Sequence, residues 1–163
     1  MSKPIQLIVA CSENRIIGRA GRLPFDIPED KQWFHDWTAN QVVMLGRICF
    51  ETWPRVQRDG RKPVVITSNR ALASDTVKVA ANVPEALAIS HQLPGDLIVC
   101  GGQRIYEETL PLADRLLLTL VHATIDGDTW FPEWRHFSWK ETWKREGADA
   151  NYRYTFSILE RVR

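Results

Sequence analysis

Short apolar runs rich in β-branched residues, each followed by a turn or a helix-like pattern, recur along the chain and restrict its fold more than any other feature. Residues 5–11 (IQLIVAC), 42–45 (VVML), 63–67 (PVVIT), 76–81 (TVKVAA), 96–100 (DLIVC) and 115–121 (RLLLTLV) read as strands. Helices are expected from Pro28 to about Thr38, from Gly46-Arg47 to about Trp53, over 83–93 (VPEALAISHQL) and over 103–110 (QRIYEETL). Asn82 is placed to cap the third of these. Near the end, Tyr152, Tyr154, Phe156 and Ile158 alternate with Arg153, Thr155 and Ser157. That period of two predicts an antiparallel edge hairpin with one polar face, pairing with a strand near 137–144. The expectation is an α/β fold: one domain over 1–163, with a mostly parallel central sheet, helices on both faces and an antiparallel C-terminal hairpin.

Charge and cysteine content narrow the function classes. The 163 residues hold 21 basic and 20 acidic side chains, a balance that argues against a nucleic-acid or membrane-surface protein. No apolar run approaches the ~20 residues of a membrane span. The run in MSKPIQLIVAC lacks a small-residue cleavage site and reads as a strand. Cys11, Cys49 and Cys100 are scattered and odd in number, so neither a disulfide framework nor a metal site is expected, and a cytoplasmic setting fits. The four histidines are dispersed, and none is read as catalytic.

The chemistry concentrates in residues 17–34 (IGRAGRLPFDIPEDKQWF). Residues 12–27 read as one long loop, and loops of this length inside a compact domain are often functional. Pro28 suits a first helical position, because its missing N–H has no partner to lose there. Glu29 and Asp30 suit the helix dipole. Asp30 also shares the face of Ile27, Phe34 and Trp37. It either stabilises the helix start or is a pocket acid that holds a ligand through N–H donors, since a buried carboxylate needs a partner.

Ligands of parallel sheets bind beyond the carboxyl ends of the strands. Gly101-Gly102 after LIVC and Gly46-Arg47 after VVML let backbone approach a phosphate, and Ser68 ends a third strand. Each is weak alone; together they favour a dinucleotide site. Arg61 lies among Arg55, Arg58 and Lys62, and reads either as part of a solvated charge run or as a carboxylate clamp.

NRIIGRAGRLPFDIPED, VVMLGRICFE, DGRKPVVITS, DLIVCGGQRIYEETLP, LLLTLV and DGDTWFP follow one another in the order and spacing of dihydrofolate reductase, and the chain resembles that family through to its closing FSILERVR. The resemblance implies a monomer, without nucleic-acid or membrane partners, that reduces dihydrofolate with NADPH by hydride transfer to C6 and protonation of N5. It assigns Asp30 to the pterin, Thr119 to support of that carboxylate, and Leu23 to a mobile lid. It puts Ile8, Phe34, Arg55, Cys100 and Arg61 at the substrate, with Arg61 on the glutamate tail. On the cofactor side it puts Ala10, Ile17, Gly18, Gly21 and Arg22; Gly46, Arg47, Ile48 and Cys49; Thr67 and Ser68; and Gly101, Gly102, Gln103, Arg104, Ile105 and Tyr106. Gly101-Gly102 match a pair joined by a cis peptide, and Arg47 and Ser68 match contacts to the 2′-phosphate or its neighbours.

The chain departs from the family pattern at several points. Phe25 replaces a usual tryptophan, Ile48-Cys49 a basic or polar residue and a threonine, and Gln103 a small residue. The loop 54–60 is longer by one residue and lacks a leucine-proline pair. Phe25, Lys31 and Cys100 lead to the expectation of reduced sensitivity to diaminopyrimidine antifolates. A non-catalytic pteridine- or nucleotide-binding protein and a reductase of another pterin remain as alternatives.

Overall fold

The computed structural model describes residues 3–163; the first two residues of the expected 1–163 domain lie outside it. Its main sheet holds eight strands in the order β5-β4-β3-β6-β1-β7-β10-β9. They are β1 (Ile5–Ser12), β3 (Val42–Gly46), β4 (Lys62–Ile66), β5 (Lys78–Ala80), β6 (Leu97–Val99), β7 (Arg115–Val121), β9 (Trp139–Ala148) and β10 (Arg153–Arg161). All neighbours from β5 through β7 pair in parallel, and β10 runs antiparallel to both β7 and β9.

Both faces are covered, as the near-continuous apolar runs require. On one face Leu7, Val9, Met44 and Val99 pack with Ala86 of α3 (Val83–Gln92) and Ile105 of α4 (Gln103–Thr109). On the other, Ile8, Ile98 and Leu117 meet Trp33, Phe34 and Trp37 of α1 (Pro28–Thr38). Beside them, Val43, Leu45 and Val65 meet Cys49 and Phe50 of α2 (Arg47–Glu51). Asn82 caps α3 by accepting from the Glu85 N–H at 2.9 Å.

Two expectations need correction. Residues 12–27 are not a plain loop. β2 (Ile16–Gly18) pairs antiparallel with β8 (Thr129–Trp130), forming a second, two-stranded sheet. The strands are too short to show a period, and their partner lies far along the chain. On β10 the expected polar face is missing: Thr155 and Ser157 are buried, because they share the face of Leu159 and stand opposite Leu120 and Leu118 of β7, a face that packs into the main core. The two hydroxyls are satisfied there, Thr155 by His122 at 2.7 Å and Ser157 by Glu141 at 3.3 Å.

Candidate active site

One cavity of about 1630 Å³ opens at the carboxyl ends of β1, β3, β4 and β6. Asp30 lies in its wall. It sits in the first turn of α1 and is only 8% exposed, because Phe34 and Trp37 on the same helix turn that face onto Ile8, Ile98 and Leu117. Thr119 projects from β7 on the same side as Leu117, two residues on, so its hydroxyl meets the helix. Thr119 Oγ1 donates to Asp30 Oδ1 at 2.7 Å. No described residue donates to Oδ2, so the carboxylate keeps acceptor capacity toward the cavity.

Burial without a nearby cation pushes the Asp30 carboxyl from 3.8 up to about 6, and the Thr119 hydrogen bond partly offsets this. Thr119→Val is therefore expected to raise that value further. The check is the carboxyl carbon shift of Asp30 followed against pH; a midpoint that stays put or falls would contradict the assignment.

The first turn of α1 is also pinned from outside. Glu29 accepts from Tyr154 Oη at 2.8 Å and pairs with Arg145 at 2.8 Å. This anchor to the C-terminal hairpin was not foreseen. In sequence Glu29 reads only as a dipole partner, and the hairpin residues lie more than a hundred positions away.

The other foreseen residues gather around the same cavity. Ile8 and Ala10 of β1 line it, with Ile17, Gly18, Gly21, Arg22 and an exposed Leu23 from the segment above. Gly46, Arg47, Ile48 and Cys49 follow β3, and Thr67 and Ser68 follow β4. Cys100 and Gly102 follow β6, and Gln103, Arg104, Ile105 and Tyr106 line it from α4. Phe34, Arg55 and Arg61 complete the far end. Thr119 and Gly101 are not in the lining. Thr119 reaches it only through Asp30, and Gly101 serves from behind: its carbonyl takes the Gly46 N–H at 2.9 Å. The peptide between Gly101 and Gly102 is cis. Gly101 has φ of 109°, and a Cβ there would come within 3.0 Å of the Tyr106 ring, so glycine is required. Tyr106 Oη in turn donates to the Ile8 carbonyl at 2.7 Å.

Arg61 is not a surface charge. Its side chain is 3% exposed, with Nε donating to Thr38 Oγ1 at 2.9 Å and Nη1 to the Arg58 carbonyl at 3.1 Å. The guanidinium lies 4.9 Å from the Trp53 ring centre. Nη2 donates to none of the described residues. Arg47 is exposed and paired with Glu51 at 2.9 Å. An exposed pair of this kind is worth only ~0.3–0.5 kcal/mol, so a phosphate could readily take the guanidinium over.

Lys31 and Cys100 line the cavity; Phe25 does not, being buried against Tyr152 and the β7–β10 core. Trp53, His35, Asp59 and Asn82 also line it and were not foreseen. A tryptophan or aspartate in a turn-rich stretch such as 52–60 carries no periodic signal of the side it faces.

The architecture and the cavity are matched in known proteins. The family model for dihydrofolate reductase covers residues 4–161. The dihydrofolate reductase of Buchnera aphidicola subsp. Acyrthosiphon pisum is 34% identical over 161 residues, spanning 96% of this chain and 99% of that one. The dihydrofolate reductase type 3 of Salmonella typhimurium is 37% identical over 137 residues, 84% of this chain and 83% of that one. The solved structure of dihydrofolate reductase from Enterococcus faecalis, complexed with NADP(H) and RAB-propyl, has a TM-score of 0.85 at 30% identity, covering 97% of this chain and 96% of that one. With sequence and fold both matched almost end to end, and a buried helix carboxylate at the cavity wall, this chain belongs to the dihydrofolate reductase family.

Proposed function

We propose that the chain reduces 7,8-dihydrofolate to 5,6,7,8-tetrahydrofolate with NADPH. The observation that carries this reading is Asp30: a carboxylate sunk in an apolar wall, held on one oxygen by Thr119 and free on the other toward the cavity. A pterin offers an amino group and a ring N–H side by side, the donors such a carboxylate lacks.

The cofactor wall suits a phosphorylated dinucleotide. Gly46 and Gly102 leave open the space that Cβ atoms would enter, and Arg47, Ser68, Gln103 and Arg104 surround it with donors. The cofactor supplies the hydride for C6 when bound. Asp30 orients the ring, and its charge favours proton uptake at N5 through water. Ile8 and Phe34 hold the ring faces. The segment with Leu23 closes over the nicotinamide side and excludes water. Arg61 takes the glutamate tail through Nη2. All these groups come from one chain, which supports a monomer. The free cysteines and balanced charge fit a cytoplasmic setting, and no helix among the described residues is long and apolar enough to cross a membrane.

The test is oxidation of NADPH on addition of dihydrofolate, followed by loss of nicotinamide absorbance, with NADH and a simple dihydropterin as comparison substrates. Turnover with NADPH and dihydrofolate is expected to exceed both comparisons. Tight binding of both ligands without turnover would replace this reading with a binding protein, and faster turnover of the simple pterin would replace the substrate.

A further inference from the structure

Gln103 opens α4 and lines the cavity. Its Oε1 accepts the backbone N–H of Trp130 at 2.9 Å. Only the oxygen of a side-chain amide can accept from an N–H, so this bond fixes which way the amide faces. Its two Nε2 donors are left over, and no described residue accepts from them.

Trp130 belongs to a connected set of contacts. It pairs with Ile16 across β8 and β2. Two residues earlier, the Asp128 N–H donates to the Gly18 carbonyl at 3.0 Å, and Asp128 Oδ2 accepts the Ala20 N–H at 2.9 Å. A Cβ on Gly18 would lie 3.0 Å from Thr129 Cβ, so the two segments touch along their length. Residues 19–23, over the cavity, therefore hang on residues 128–130. Gln103 clips that second segment from the opposite wall.

We propose that Gln103 is a positioning residue that ties residues 19–23 to occupancy of the cofactor wall. Its oxygen holds Trp130, and through β8 and β2 the segment above the cavity. Its amide donors are presented to an acceptor group of the bound dinucleotide, so ordering either end orders the other. The small residue that the resemblance leads one to expect at this position would make neither bond. The inference rests on the dinucleotide reading of the cavity.

Two variants separate the two ends of the amide. Gln103→Met keeps the length and removes both functions. Gln103→Glu keeps the acceptor for Trp130 and removes the donors. Amide hydrogen exchange of residues 16–23 and 128–130 is measured with and without NADP⁺, and the Kd for NADP⁺ is read from tryptophan fluorescence. In ligand-free Gln103→Met, exchange in both segments is expected to speed up by about three- to tenfold, the effect of one net hydrogen bond. The protection that NADP⁺ confers on 16–23 should shrink, and Kd should rise by a similar factor. Gln103→Glu should keep native exchange without ligand yet lose affinity. If the native chain binds NADP⁺ while Gln103→Met matches it in both readouts, or speeds exchange evenly across the sheet with Kd unchanged, the tie is refuted. If the native chain does not bind NADP⁺, the dinucleotide reading itself fails.

Discussion

Asp30→Asn is expected to fold more tightly than the native chain and to reduce dihydrofolate far more slowly. The stability half follows from burial, which lifts the Asp30 carboxyl from 3.8 to about 6. Between those values the folded chain keeps a proton that the unfolded chain has released. Stability therefore falls as pH rises through the window and stays lower above it. The shift corresponds to roughly 2–3 kcal/mol. Asparagine is neutral at every pH, and its amide oxygen can still accept from Thr119. The variant should match the native chain near pH 4 and exceed it by about 2 kcal/mol above pH 7. Chemical denaturation across that range checks it, and a constant difference would contradict the placement of the charge.

The activity half runs the other way. In the proposed complex the ionised carboxylate accepts two charge-assisted hydrogen bonds from the pterin, each worth ~1.5–3 kcal/mol. An amide accepts one and turns its own N–H toward the second donor. The expected loss in kcat/KM is roughly 10²–10³-fold, largest at neutral pH, where native Asp30 is ionised. A residue that weakens the empty protein and strengthens the loaded one is placed for its ligand. Retained activity in Asp30→Asn would remove the basis of the proposed mechanism.

What the sequence discloses here depends on how local the signal is. VVML, LIV and RLLLTLV sit in a sheet covered on both faces, so their apolar runs could be read directly, and the sheet then located the cavity at its carboxyl ends. Asp30 stood out because a carboxylate fell on the apolar face of α1. Thr119 gave no such signal: one threonine in a strand of leucines has meaning only once β7 lies beside α1, and its assignment came from the family resemblance. β2 and β8, the Glu29–Tyr154 bond and the Gln103–Trp130 bond are all contacts between distant segments with no periodicity of their own. The buried faces of Thr155 and Ser157 escaped for a related reason. Short hydroxyl side chains look polar in a pattern, yet they pack when a neighbouring strand or side chain supplies the hydrogen bond.

Arg61→Leu is expected to separate recognition of the substrate's tail from recognition of its ring. The guanidinium is already fixed before any ligand arrives. Thr38 and the carbonyls of Arg55 and Arg58 hold Nε and Nη1, and Trp53 lies against its face. Holding a planar fork in place this way lowers the ordering cost when its free edge meets a carboxylate. Removing it deletes the side-chain bonds to Thr38 and to those two carbonyls, which keep the backbone N–H groups of Arg58 and Arg61 as partners, and loosens the loop 54–60, a stability loss of about 1–2 kcal/mol. Losing the charge-assisted bonds to the tail should raise KM for dihydrofolate by roughly 10²-fold with kcat changed much less. A dihydropterin without the benzoylglutamate tail supplies the control, because it lacks the carboxylates that Arg61 is proposed to hold. Its kcat/KM should stay within about threefold of native, the shift a modest loosening of the loop would give. Equal losses on both substrates would make Arg61 a support of the loop alone and leave the tail without its partner. Arg55→Ala, exposed at the same end of the cavity, should cost less than Arg61→Leu on dihydrofolate, since its side chain is not held in advance.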